Sequence, residues 1–350
     1  MQPLCLDDST AEQQDWKAYL CIEAFIQDFV TAQALFTALK LELIKTLSDQ
    51  PRSEDTLQQS HPEVTALGIL LQQLKAANVI EQDNNSQWQL TTEFSQTLPF
   101  QDLLLSKLEF ANLLAPDLLE NYTLFLEDMP RFIQQAKVFE LFAYNRCFEV
   151  TPENITATRR WMRFTTCLTR YEGRVIAKHA DLSHINNHLD IGGNSGEFAL
   201  QLCKNNTELN STIIDLPVVC EVGRSHIKGE KEADRIDFKA ADALVDKLPQ
   251  QQDLVTFKSI LHDWPIEACA QFIRQATSTL NDQGEILICE RGPLDLSRPV
   301  PYGLLPMLLF NRSFREPNTY IELLKSNGFN NIEIETIQLE TPFFLIRARR

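Results

Sequence analysis

The chain has 350 residues, 44% of them apolar, and a formal net charge of −16 from 32 basic and 48 acidic side chains. That length favours two domains over one, and so acidic a surface repels phosphate backbones and anionic lipid, which argues against nucleic-acid and membrane partners. No apolar run approaches the roughly 20 residues of a bilayer span, the start MQPLCLDDSTAEQQDW lacks a signal-peptide pattern, and eight scattered cysteines without a CxxC pair read as reduced thiols of a cytoplasmic protein with no metal site.

In chain order, YLCIEAFIQDFVTAQALFTALKLELIKTL carries apolar residues at mixed three- and four-residue spacing, as a core-facing helix or helix pair does. Ser53 and the acidic residues after it suit a helix start, and PEVTALGILLQQLKAANVIEQ reads as another amphipathic helix. VIEQDNNSQWQLT then reads as strand, turn and strand, with Asp83-Asn84-Asn85 turning the chain. Helices followed by a small hairpin predict a winged helix over residues 1–100.

Residues 101–185 read as mostly helical, with breaks expected at Pro116, Pro130 and Pro152. From 186 to 350 the pattern changes to strands alternating with helices. The strands are NHLDI, STIIDL, RIDFKAA, DLVTFKSIL, EILICE, NIEIETI and FFLIRAR. Helices are expected at 196–205, 217–228, 265–280 and 317–327. This alternation predicts an α/β domain with a mostly parallel sheet covered on both faces. The last two strands lie too close together for a crossover helix and should pair antiparallel.

HLDIGGNSGEF occupies the first strand-to-helix passage of that sheet, where open α/β sheets bind ligands. Gly192 and Gly193 would let backbone approach a ligand, and Asn194, where a third glycine could stand, is the non-glycine residue best suited to positive φ. An ordinary tight turn would use the same residues. Asp215, about 25 residues after Asp190, ends the next strand and could accept both hydroxyls of a ribose, or instead cap the helix that follows. There is no GxxxxGK[ST] loop, and the turn departs from GxGxxG spacing. A nucleoside without phosphates fits better, and S-adenosylmethionine is the common one.

SILHDWPIEAC, together with LDIGGNSG, IIDLP and EILICERGPL, resembles the plant caffeate and bacterial small-molecule O-methyltransferase family over roughly residues 20–350. The resemblance implies a class I, Rossmann-like methyltransferase sheet preceded by a winged-helix dimerisation domain, a homodimer, and an enzyme of secondary metabolism that methylates a small hydroxyl acceptor from S-adenosylmethionine. It implies Asp190, Gly192, Gly193, Asp215, Asp242, Ala243 and Lys258 as cofactor-binding residues. Of these, the glycines would face the methionine part, Asp215 the ribose and Asp242 the adenine, while Lys258 would close the pocket. It implies His262 as general base, oriented by Glu290, and Phe164, Cys167, Tyr171, Met307 and Asn311 around the acceptor. An imidazole titrating near neutrality suits proton removal from a hydroxyl, although His262 could also cap the helix at 265.

One feature departs from the family. Members with the full catalytic set carry an acidic residue just before an arginine after the fifth strand. Here Phe314 precedes Arg315, and Glu316 lies on its other side. Glu290 alone, a substituting Glu316, or a different acceptor would account for this. Methylation at carbon or nitrogen, or a non-methylating reaction on the same fold, therefore stays open. A winged-helix regulator is the remaining reading, and the segment SHPEVTALGILLQQLKAANV is poor in the basic residues it would need.

Overall fold

A computed structural model describes residues 16–349; the acidic start, Cys5 and Arg350 lie outside them. The chain forms two compact units. The described residues up to Pro116 with Leu296–Leu308 make the first, and Asp117–Asp295 with the described residues from Leu309 onward make the second.

In the first unit the apolar stretch after Tyr19 is three pieces. A 3-10 segment, Ala18–Phe25, precedes α1 (Phe29–Lys40) and α2 (Leu43–Asp49). Asp28 makes the first break, its side chain accepting from the Thr31 amide at 2.9 Å as a helix N-cap. Glu42 makes the second with a left-handed φ of 54°, which a right-handed helix cannot continue through. Ser53 caps α3 (Glu54–Ser60), its Oγ accepting from Thr56 N at 3.2 Å. The next helix, α4 (Leu67–Ala76), starts later than its apolar pattern implies, because the residues after Pro62 form turns. β1 (Ile80–Gln82) and β2 (Trp88–Leu90) pair antiparallel, and in their connection Asp83 Oδ1 accepts from the amides of Asn85 and Gln87 at 2.8 Å each. Leu35, Leu57, Leu67, Leu71, Leu74 and Trp88 are fully buried in this unit, and each such side chain contributes about 1.5–3 kcal/mol by leaving water. α5 (Gln101–Glu127) runs through Pro116 and breaks its helical geometry at Asn121 instead.

The second unit is built on α6 (Pro152–His179), which Thr151 caps, and on a seven-stranded sheet. The strands are β3 (Asn187–Ile191), β4 (Asn210–Asp215), β5 (Ile236–Ala240), β6 (Gln252–Lys258), β7 (Leu280–Arg291), β8 (Asn331–Gln338) and β9 (Pro342–Arg349). Their spatial order is β5-β4-β3-β6-β7-β9-β8. The first five in that order run parallel, and β9 lies antiparallel to both β7 and β8. Four helices follow strands as expected: α7 (Glu197–Asn205), α8 (Pro217–Ile227), α9 (Ile266–Thr279) and α10 (Pro317–Ser326). Leu189, Val255, Phe257, Ile286 and Ile288 of the sheet bury against Phe272 and Ile273 of α9 and Tyr320 and Leu324 of α10. The order reverses at β3, which has β4 on one side and β6 on the other, so the open crevice lies beyond the carboxyl ends of β3, β4 and β6.

Among the described residues no single helix is long and apolar enough to cross a membrane, and no cluster of three or more His, Cys, Asp or Glu could hold a metal. The described cysteines are free thiols.

Candidate active site

The turn after β3 can be built only by its own residues. Gly192 has φ +70°, and a Cβ there would sit 2.0 Å from Ile260 Cδ1. At Gly193 a Cβ would meet Asp190 Oδ2 at 2.6 Å and Ile213 Cγ2 at 2.9 Å. Asn194 adopts φ 55°, as its side chain predicted, and Gly196 starts α7 at φ +76°.

Asp215 ties this turn to the next helix. Its Oδ2 accepts from Asn194 N at 2.9 Å and its Oδ1 from Leu216 N at 2.8 Å. Burial pushes the carboxyl up to about 6, while those two amides pull it down. Asp190 is 1% exposed; Thr256 donates to its Oδ1 at 2.6 Å, and its Oδ2 has no hydrogen-bond partner. Burial raises Asp190 to about 7. Asp242 follows β5, its Oδ1 accepting from Leu244 N at 2.9 Å, and Ala243 is buried in the sheet core.

Lys258 ends β6, and its Nζ donates to Thr169 Oγ1 at 2.9 Å and Glu172 Oε2 at 2.6 Å on α6. Glu172 is fully buried and also pairs with Arg291 at the end of β7. Desolvation lowers Lys258 to about 8 against the pull of neighbouring acidic groups. Neither Glu172 nor Arg291 was expected from the sequence.

His262 lies in the single helical turn Leu261–Asp263 after β6. Its Nδ1 is 2.7 Å from Glu290 Oε2, and Glu290 Oε1 accepts from the amides of Ile260 at 3.0 Å and Leu261 at 2.7 Å. The adjacent parallel strands β6 and β7 bring the two residues to one sheet edge. Nε2 faces Asp263 Oδ1 at 3.3 Å. Burial alone would lower His262; the charges of Glu290 and Asp263 and the Glu290 hydrogen bond outweigh it and lift the imidazole to about 9.

Phe314 occupies the position where an acid was expected. It meets the His262 ring edge-on at 5.2 Å and 64°. Arg315 donates to the carbonyls of Leu261 at 2.7 Å and Trp264 at 2.5 Å, clamping the turn that carries His262. Glu316 is exposed at the N-cap of α10 and is not a partner of His262.

Phe164, Cys167 and Tyr171 share one stripe of α6, at i, i+3 and i+7. Asn311 Oδ1 accepts from Leu294 N at 2.7 Å. Met307 belongs to the first unit, so the stretch LLPMLLFNRSF is divided between units. Two aromatic residues absent from the expected set join the second unit's site: Trp161 meets Tyr144 at 5.6 Å, and Tyr144 Oη lies 3.4 Å from Asp263 Oδ2. The aromatic density of VFELFAYNRCF and RRWMRF was the available signal.

The arrangement is a glycine cradle flanked by two carboxylates, beside an imidazole whose tautomer is held by a third. The O-methyltransferase domain family matches residues 125–330, more than half of the chain. The chain belongs to this family. It is 31% identical over 173 residues to 3-hydroxy-5-methyl-1-naphthoate 3-O-methyltransferase of Streptomyces sahachiroi, a match covering 48% of this chain and 50% of that enzyme. The chain thus spans about half the length of the relatives it matches. Among solved structures, the pyocyanin biosynthetic protein PhzM superposes with a TM-score of 0.71 at 19% identity, covering 91% of this chain and 94% of that one. Human N-acetylserotonin methyltransferase, solved in complex with S-adenosylmethionine, gives 0.65 at 21% identity over 99% of each. At these identities the structural likeness establishes the class I methyltransferase fold.

Proposed function

We propose that the protein transfers a methyl group from S-adenosylmethionine to a hydroxyl of a small aromatic or polyketide-like acceptor, with His262 as general base. One relationship carries the reading: Glu290 accepts at Nδ1 of His262 at 2.7 Å, so the nitrogen left to take a proton is Nε2. A phenol becomes a competent nucleophile when that proton leaves, and such a base contributes about 10²–10⁴-fold.

The residues at the strand ends fit the cofactor. Gly192 and Gly193 make a turn in which Ile260, Asp190 and Ile213 leave no space for a Cβ, so only bare backbone faces the strand ends, and Asp190 Oδ2 is buried without a partner and suits a cationic group. Asp215 would hold the ribose, Asp242 the adenine side, and Ala243 and Lys258 would complete the pocket. Bound there, the cofactor supplies an electrophilic methyl on a sulfonium. Phe164, Cys167, Tyr171 and Asn311 would line the acceptor's site.

Phe314 against His262 favours a second reading, transfer to carbon or nitrogen on the same site, because an apolar ring stands at the position where the family carries an acid before the arginine. The remaining expectations belong to the same proposal: a winged-helix dimerisation segment in residues 1–100, a helical acceptor region at 101–185, a catalytic domain at 186–350, and a cytoplasmic homodimer of secondary metabolism without nucleic-acid or membrane partners. Exposed Phe29, Val30 and Ile69 of the first unit support the dimer.

The test is calorimetric binding of S-adenosylmethionine to the wild type and Asp215→Ala, followed by methyl transfer to a panel of naphthols, hydroxyindoles and their amine analogues, with His262→Ala as control. Binding that collapses in Asp215→Ala and hydroxyl methylation that collapses in His262→Ala support the proposal. No binding by folded wild type overturns it.

A further inference from the structure

A line of hydrogen bonds crosses the sheet interior behind the glycine turn. His188 of β3 is fully buried, with Nδ1 2.9 Å from Ser211 Oγ on β4 and Nε2 2.8 Å from Thr256 Oγ1 on β6. Thr256 Oγ1 is in turn 2.6 Å from Asp190 Oδ1. The side chains of four residues on three adjacent strands thus form one chain ending at Asp190.

Proton counting gives this chain a direction. A threonine hydroxyl has one proton. When Asp190 is ionised, that proton goes to Oδ1, and Thr256 must then accept from His188 Nε2–H. A neutral imidazole carrying its proton on Nε2 accepts at Nδ1, so Ser211 donates there. Burial holds His188 down to about 3, so it is neutral across the physiological range. The far end of the chain is Asp190 Oδ2, buried, without a partner, and 2.6 Å from where a side chain at Gly193 would begin. A buried carboxylate oxygen left unpaired is costly, and it lies against the turn that the cofactor reading assigns to the methionine moiety.

We propose that Thr256 and His188 are positioning residues that hold Asp190 in its ionised form, with Oδ2 presented to the cationic end of the cofactor's methionine group. This rests on the cofactor reading above. The other charged groups acting on Asp190 are Asp215 of β4, which disfavours ionisation, and Lys258 of β6, which favours it; Cys289 and Glu290 of β7 stand next to Lys258. Desolvation dominates and raises Asp190 to about 7, opposed by the Thr256 hydrogen bond. Cofactor affinity therefore strengthens as pH rises from 6 to 8 and levels off above. Losing the Thr256 hydroxyl moves that rise to higher pH. If the proton affinity of Asp190 increases tenfold, only about a tenth of it is ionised at pH 7, and binding weakens about fivefold.

The experiment is calorimetric binding of S-adenosylhomocysteine, which carries the same methionine ammonium, at pH 6, 7, 8 and 9 to the wild type, Thr256→Val and Thr256→Ser. Alongside it, nitrogen NMR of the ligand-free wild type reads the His188 tautomer at pH 8. The expected result is a Val variant about fivefold weaker at pH 7 that converges on the wild type by pH 9, a Ser variant restored to wild-type binding, and an Nε2–H tautomer. Equal binding of the Val variant and the wild type at every pH overturns the proposal and leaves the cofactor reading intact. So does a deficit that is the same at every pH, which would mark a purely structural role. An Nδ1–H tautomer or an imidazolium overturns it even if the Val variant does not fold. Failure of folded wild type to bind at any pH overturns the cofactor reading and this proposal with it.

Discussion

Glu290 holds His262 twice over: one carboxylate oxygen accepts from the imidazole at 2.7 Å and the other from the amides of Ile260 and Leu261, just before it. Ring orientation and backbone position thus depend on one fully buried side chain. Glu290→Gln removes the charge and keeps the shape. With that negative charge gone, the proton affinity of His262 falls from its value of about 9. As the proposed base, His262 is competent when neutral, so kcat/KM for the wild type rises with pH towards an alkaline limb near 9, and in Glu290→Gln the limb moves to lower pH. The plateau falls by about 10²-fold or more, because the amide presents a donor to a ring nitrogen that needs an acceptor. A pH–rate profile of both proteins checks the two effects separately.

Ile260 fills the space where a side chain at Gly192 would begin. Gly192→Ala places a methyl 2.0 Å from Ile260 Cδ1 and forces an L residue to φ +70°. The backbone strain alone costs about 1–2 kcal/mol. Adding Ile260→Ala relieves the clash and leaves the strain. The single variant is expected to lose cofactor binding, and the double variant to recover stability in denaturant titration without recovering wild-type affinity, since the strained turn persists.

Much of this was legible locally. Asn194 stood where the turn needed positive φ, and it has φ 55°; seven strands followed from apolar runs punctuated by helices, and the antiparallel pairing of β8 with β9 followed from their short connection. What depends on convergence of distant segments was not legible. Glu172 looks like an ordinary helix charge in TRYEGRV, and becomes a buried anion only because β6 and β7 deliver Lys258 and Arg291 to it. The substitution at Phe314 was visible, but not that its ring would lie against His262. Asp263 adjoins His262 in sequence, yet nothing there showed that it would face Nε2.

Arg315 fixes the His262 turn from outside the strand, through the carbonyls of Leu261 and Trp264. Lysine keeps the charge but cannot reproduce the planar fork that reaches both oxygens. Arg315→Lys should therefore leave one carbonyl unsatisfied, cost about 1–3 kcal/mol of stability, and lower kcat more than it raises KM, because the loosened element carries the proposed base. Steady-state kinetics with melting curves distinguish this from a general loss of fold, which would reduce active enzyme without changing KM.

Glu172 sits between two cations, Lys258 and Arg291, with no exposure of its own. Glu172→Gln leaves both positive charges buried without their shared counter-charge, a change expected to destabilise by about 3–5 kcal/mol. The pH dependence identifies the cause. Lys258 already titrates at about 8 in the folded protein, below its ordinary 10.5, so its own contribution to stability rises with pH through that window and is flat below it. In the variant the proton affinity of Lys258 drops further, and the rising limb extends below pH 8. The deficit relative to wild type should thus be larger at pH 6 than at pH 9 in urea titrations. A deficit independent of pH would place the cost in packing around the amide and not in the unpaired charge of Lys258.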